Sequence, residues 1–148
     1  MSSGLTDRTF RNIRAALETR FNEISEITNK EFENTKTKLE DFDKSSSDVK
    51  FIRGTILPLE TSVVAVGSSG TDLHEGIFQI DYYSAVDVGG YSDDLDIIAN
   101  YFPKGHEMTH SSHTVKVRNV SLGVGRRDGA FFVRNIDVDY FAYTAARS

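Results

Sequence analysis

The strongest constraint on the fold lies in Val115–Tyr143, where two long apolar-alternating runs flank Arg126-Arg127-Asp128-Gly129. Asp-Gly between such runs signals a β-hairpin, because a type I′ turn needs φ > 0 at its central residues. The arms are long for one small sheet, and their apolar pattern changes face partway. Val115 and Val117 share one parity, while Val120, Leu122 and Val124 share the other. On the return arm Phe131 and Val133 share one parity, while Ile136, Val138 and Tyr140 share the other. With Asp128-Gly129 as a two-residue turn, Val117 faces Tyr140, Asn119 faces Val138, Leu122 faces Asn135 and Val124 faces Val133. Cross-strand partners point to one side of a sheet. The base of the hairpin therefore places Val115, Val117, Ile136, Val138 and Tyr140 on one face, and the tip places Val120, Leu122, Val124, Phe131 and Val133 on the other. Two explanations stand at this point. Either a β-bulge twists the arm within one domain, or the base packs on this subunit's core and the tip on something else, as in a ring-forming protein.

Upstream, Phe10, Ile13, Leu17, Phe21 and Ile24 recur at spacings of 3 and 4, one face of an amphipathic helix. Ser3 or Thr6 is its expected N-cap, with Asp7 favourable in the first turn. Arg11, Arg14, Glu18, Arg20 and Asn22 form the solvated face. Residues 25–50 are polar with isolated Phe32, Leu39 and Phe42, either a short helix or an irregular connection, and too poor in apolar residues for a second domain. Strands are expected over Val49–Leu57, stopped by Pro58, over Thr61–Val66, and over Leu73–Tyr83. The last two form a hairpin with a Gly67-Ser68-Ser69-Gly70 tip. After Gly89-Gly90, Ser92 caps a helix with Asp93 and Asp94 in its first turn; Leu95, Ile98, Tyr101 and Phe102 face the core, and Pro103-Lys104-Gly105 ends it. This order reads as one α+β domain over residues 1–148. Its sheet is largely antiparallel, of about five strands, with two helices on one or both faces and a long C-terminal β-hairpin.

A chain of 148 residues buries roughly 70% of its unfolded surface, so its stability requires no metal or disulfide. The absence of cysteine excludes disulfides, thiolate catalysis and cysteine-ligated zinc. A net charge of −5 gives no chain-wide basic footprint for nucleic acid. No stretch approaches the ~20 apolar residues of a membrane span, and the N-terminus carries no apolar signal run. A soluble protein made in the cytoplasm is expected.

The sharpest chemical motif is His106-Glu107-Met108-Thr109-His110, a literal H-E-x-x-H with His113 close behind. On a helix its histidines would lie one turn apart and could hold zinc, with Glu107 as general base. Here it follows Pro103-Lys104-Gly105 and runs into Ser111-Ser112, a loop composition, and Lys116 occupies the position of the usual third ligand. Solvated loop histidines are the favoured reading, and a small zinc hydrolase built on His106, Glu107 and His110 the remote one. Residues 123–129 lack G-x-G-x-x-G spacing and a following helix, so a hairpin turn is preferred over a phosphate loop. The aspartates between Asp81 and Asp96 form no calcium-loop pattern. No catalytic residue, cofactor or metal site is assigned.

Arg53-Gly54-Thr55-Ile56-Leu57-Pro58 runs from a strand into a loop and is followed by Gly76-Ile77-Phe78-Gln79-Ile80-Asp81-Tyr82-Tyr83. Gly89-Gly90 then precedes a helix ending in Tyr101-Phe102-Pro103-Lys104-Gly105, and residues 128–133 and 138–140 close the pattern. In this order the chain resembles the tail terminator (tail completion) proteins of long, flexible-tailed, lambda-like bacteriophages. The likeness covers most of the chain, with 25–50 as the main departure.

The resemblance implies a non-enzymatic structural virion protein: a homohexameric ring on the head-proximal end of the tail tube, assembled in the host bacterial cytoplasm. Such a ring ends tube polymerisation and provides the head–tail joining interface. The implied partners are further copies of the chain, the tail tube protein and the head–tail connector protein. DNA passes through the lumen without specific binding, which an acidic chain favours by repelling phosphate. A head–tail connector or a tube subunit is the alternative. Expected subunit contacts are Leu122, Val124, Phe131 and Val133. Expected contacts to the tube or connector are Val66, Ser68, Ser69, Thr71 and His74 in the loop and its flank, and Arg126 and Arg127 at the hairpin tip.

Overall fold

The structure, a computed structural model, describes residues 8–27, 29–33, 50–57, 60–65, 71–85, 91–129 and 131–145. Among the described residues, two helices, α1 (Thr9–Asn22) and α2 (Tyr91–Asn100), accompany eight strands. These are β1 (Lys30–Phe32), β2 (Lys50–Ile56), β3 (Glu60–Ala65), β4 (Thr71–Ala85), β5 (Glu107–His110), β6 (His113–Leu122), β7 (Arg126–Asp128) and β8 (Phe131–Ala145). The α+β class holds, but the sheet has eight strands rather than five. The three short ones were not read from sequence: β1 lies in the polar 25–50 segment, β5 in the presumed histidine loop, and β7 beyond a break in the hairpin arm.

The sheet is organised on β4 and β8, paired antiparallel over their full 15-residue length from Thr71↔Ala145 to Ala85↔Phe131. The path runs β1-β2-β4-β8-β6-β5, with β3 also on β4 and β7 also on β8. β1 joins β2 in parallel, and the other pairs are antiparallel. Two long strands thus carry two shorter partners each, which lets the open sheet curl.

One face holds the main core. Ile52, Phe78, Ile80, Tyr82, Val115, Val117, Ile136, Val138 and Tyr140 are buried against Ile13, Ala16, Leu17 and Phe21 of α1 and Leu95 and Ile98 of α2. The 3.6-residue spacing of α1 puts these side chains on one stripe, and the two-residue repeat of the strands does the same for the sheet. Phe10, expected in that stripe, is 51% exposed at the open end of the helix. Ser3 and Thr6, the expected N-caps, lie outside the described residues. Arg8 occupies the N-cap position without a side-chain capping bond, its carbonyl accepting from Asn12 N–H at 2.9 Å. The helix start is held instead by the sheet: Asn12 Nδ2 lies 3.0 Å from His113 Nδ1, and Thr9 Oγ1 lies 3.4 Å from Nε2. α2 is tied down by the buried Asp94, which accepts from the Tyr82 hydroxyl and pairs with Lys50 Nζ at 3.1 Å.

The hairpin's change of face has two different causes. On β6 the pairing passes from Val117↔Tyr140 to Asn119↔Asp139, so Arg118 is an extra, bulged residue. The bulge returns Val120 and Leu122 to the core side, opposite Val138 and Ile136. A further one-residue shift at Gly123–Gly125 sets β7 against β8 as Arg126↔Val133 and Asp128↔Phe131. The turn is therefore one residue further on than Asp128-Gly129; Gly129 has φ +61° and Ala130 falls outside the described residues. On β8 no shift occurs. Phe131 and Val133 truly face the other side, where they form a small buried cluster with Phe51 and Tyr83 of the same chain.

Candidate functional site: the hairpin bend and the α1–β2 groove

The bend between β6 and β7 presents apolar side chains to solvent. Leu122 is 50% exposed and Val124 is 85% exposed. Val124 stands between two glycines, and side chains of β8 lie close over both. A Cβ on Gly123 would lie 2.3 Å from Asn135 Oδ1, and one on Gly125 2.4 Å from Phe132 Cζ. The bend is pinned to β8 by Gly123 N–H donating to the Asn135 carbonyl at 2.8 Å and by Arg134 Nε donating to the Gly123 carbonyl at 2.8 Å. A held loop with a bare valine at its crest is thus built into the sequence. Arg126 and Arg127 follow, both exposed as expected.

The four expected subunit contacts divide. Leu122 and Val124 are available at the surface. Phe131 (2% exposed) and Val133 (0%) are not, because Phe51 and Tyr83 cover them; the aromatic pair Tyr83–Phe131 meets edge to face at 6.1 Å. Among the expected tube or connector contacts, Val66, Ser68 and Ser69 lie outside the described residues. Thr71 opens β4, half-buried opposite Ala145 and Ala65. His74 is 1% exposed and serves the interior: its Nδ1 lies 2.9 Å from Thr61 Oγ1 and its Nε2 2.7 Å from Thr144 Oγ1, joining β3, β4 and β8. Neighbouring strands at hydrogen-bonding range bury a short polar side chain that a sequence reading assigns to a loop flank.

A second surface feature escaped the sequence reading. Phe10 and Ile13 of α1, Ile56 and Leu57 at the end of β2, and Tyr140 of β8 line a groove of about 330 Å³, with Arg14 and Glu33 beside them. Arg14 is shared by two carboxylates, Glu18 at 3.1 Å and Glu33 at 3.8 Å. The Tyr140 hydroxyl is buried without a hydrogen-bond partner. Burial, and next the charge of Glu33, push its pKa above the ordinary phenol value, so it remains a proton donor. The signal available in the sequence was Phe10, a large aromatic at the exposed end of an amphipathic stripe.

On the sheet face opposite the main core, Asp81 Oδ1 is also buried without a partner. Desolvation raises the Asp81 pKa, opposed by Arg126 and Arg53 and reinforced by Asp137. Its neighbours are already engaged: Arg53 Nε donates to Glu31 Oε2 at 2.7 Å and Asn135 Nδ2 to Asp137 Oδ1 at 3.0 Å.

The H-E-x-x-H motif is not helical. His106 N–H donates to the Pro103 carbonyl, the His106 carbonyl accepts from Val117 N–H, and Glu107–His110 runs on as a strand against β6. Four extended residues separate the two histidines by about 13 Å, against one helical turn in a zinc site. Nor are the histidines simply solvated loop residues: His110 ends β5, His106 directly precedes it, and His113 opens β6 and docks α1. Among the described residues, no three His, Asp or Glu side chains are grouped to hold a metal.

A search of curated proteins found no match. Several solved structures share the fold, and two of them are the following. One, which carries no functional description, is 18% identical with a TM-score of 0.66, over 95% of this chain and 100% of that one. The other is a chain of the "Virion of native gene transfer agent (GTA) particle", 10% identical with a TM-score of 0.59, also over 95% of this chain and 100% of that one. The family model described as "Phage tail terminator protein" matches residues 12–140. That span runs from the buried Asn12 of α1 to Tyr140 at the groove floor and takes in both the hairpin bend and the central β4–β8 pair. The chain therefore belongs to the phage tail terminator family and is a structural protein of the phage tail.

Proposed function

We propose that this chain forms a ring, a homohexamer, that caps the head-proximal end of the tail tube. The ring ends tube polymerisation and offers the head–tail connector its docking surface. The observation that carries this reading is the family match over residues 12–140. The GTA virion relative is compatible with it. The exposed Leu122 and Val124 supply apolar surface that one copy leaves uncovered, and a head-to-tail contact closes into a ring when its rotation permits. Subunit contact is assigned to Leu122 and Val124, since Phe131 and Val133 are covered within the chain. Arg126 and Arg127, with Val66, Ser68, Ser69 and Thr71, are assigned to contacts with the tube or the connector. The net charge of −5 suits a lumen through which DNA slides without sticking.

Electron microscopy of assembling tails tests the proposal. A single ring of this chain at the head-proximal end, with tubes of uncontrolled length when the chain is omitted, is the expected result. A ring bound to heads would indicate a connector, and a continuous polymer of this chain would indicate the tube subunit; either overturns the proposal.

A further inference from the structure

We propose that the hairpin bend of one copy, with Val124 at its crest, seats in the α1–β2 groove of the next copy, and that this contact is the ring's subunit joint. The inference rests on the ring reading above and names the two surfaces that meet. Knob and groove cannot meet within one chain. Leu122 stands opposite Ile136, and Tyr140 at the groove lies four positions along the same strand, about 13 Å away before the bend's own displacement. Any contact between them is therefore between copies and heterologous, with each molecule giving its bend and receiving another's, the arrangement that generates rings.

Three properties fit the bend to the groove. The first is apolar surface: Val124 and Leu122 would cover Ile56 and Leu57 and lose their own exposure. The second is hydrogen bonding. The groove holds a buried phenolic hydroxyl with no acceptor, and an unmade bond of this kind is costly. Residues 123–125 are in no strand and carry no side chain on either side of Val124. The Gly123 carbonyl is held by Arg134 Nε, which leaves the Val124 and Gly125 carbonyls to approach a donor, and the enclosed Tyr140 hydroxyl has to turn outward to meet one. The third is charge. Arg14 at the groove is shared between Glu33 in the lining and Glu18 one turn along α1, while Arg127 beside the bend is exposed and makes no ion pair among the described residues. Opposite charges at the rim of a joint fix its orientation and speed encounter.

The cysteine-free chain permits a direct test. Full-length Val124→Cys and Leu57→Cys single variants are mixed and allowed to cap tail tubes, then oxidised. A third variant, Tyr143→Cys, places a thiol on the exposed end of β8 away from both surfaces. Thermal melting of each variant first checks that it folds. The expected result is a Val124–Leu57 dimer adduct, absent when Tyr143→Cys replaces either partner. In the Val124→Cys/Leu57→Cys double variant, a ladder ending at the ring number is expected. Capped tails that show rings but no such adduct overturn this joint and leave the ring standing. Absence of rings from tail ends removes both proposals. An adduct between Leu57→Cys and a tube or connector cysteine in place of Val124 assigns the groove to that partner and overturns the joint, as does a double variant that closes only within one chain.

Discussion

Small residues in this chain mark places where backbones and rings come close, and these can be tested singly. Gly54 on β2 is buried, and a Cβ there would lie 2.7 Å from Phe78 Cζ and 3.3 Å from Phe32 Cδ2. Phe78 has no room to retreat, since Phe21 and Phe102 both stand at 5.8 Å from its ring. Gly54→Ala is expected to overpack this aromatic cluster and cost about 1–3 kcal/mol, read as a lowered midpoint in thermal or denaturant unfolding; an unchanged midpoint would mean the cluster is looser than described. Asp81 provides a test of sign. Burial raises its carboxyl pKa from the ordinary 3.8, so the folded state holds its proton more tightly than the unfolded chain. Stability from this group is fully present below the unfolded pKa and is lost as pH rises through the folded one. Asp81→Asn should therefore gain in melting temperature relative to the parent as pH climbs from the ordinary carboxylate range toward neutrality. A gain that shrinks with rising pH would show that Arg126 and Arg53 outweigh desolvation.

At the scale of elements, the hairpins explain what the sequence could and could not disclose. The Val115–Tyr143 pair was readable because its alternation is long and Asp-Gly closes it; the α1 stripe and β4 were readable for the same reason of sustained period. A bulge in this arm was readable only as one of two alternatives, because one inserted residue mimics a genuine change of face. Only the coordinates separate the outgoing arm, where the bulge restores the core side, from the return arm, where Phe131 and Val133 really turn away. The β5–β6 hairpin was hidden for a different reason. Its two-residue turn is Ser111-Ser112, at φ 48° and 70°, where glycine or asparagine is the usual signal. Left-handed backbone costs a non-glycine residue about 1–2 kcal/mol. Replacing Ser111-Ser112 by Asn-Gly should recover about 1 kcal/mol as a higher melting temperature, while leaving the His113 contacts to Thr9 and Asn12 in place. A lower melting temperature would mean that the serines hold this turn through bonds of their own. The groove was illegible because it joins α1, β2 and β8, three elements far apart in the chain, and no local pattern reports such a meeting.

For the whole molecule, the decisive arrangement is the division of labour between the two faces and two ends of one sheet. The helices cover the main core face, and Phe51, Tyr83, Phe131 and Val133 close a small cluster on the other. Among the described residues, what remains apolar and open is concentrated in the bend, with Leu122 and Val124, at Phe10 beside the groove, and at Ile77 and Tyr143. The fold of one copy does not depend on Val124, which is 85% exposed, and surface substitutions of this sort stay within about 0.5 kcal/mol. Assembly is expected to depend on it strongly, since an aspartate there would have to be desolvated in an apolar groove beside the Glu33 carboxylate. Val124→Asp should therefore melt like the parent as an isolated chain yet leave tail tubes without a terminal ring, counted by electron microscopy against parent protein at equal concentration. Normal rings from that variant would show that the bend is not part of the joint, and a lowered melting temperature would show that Val124 supports the fold of its own chain.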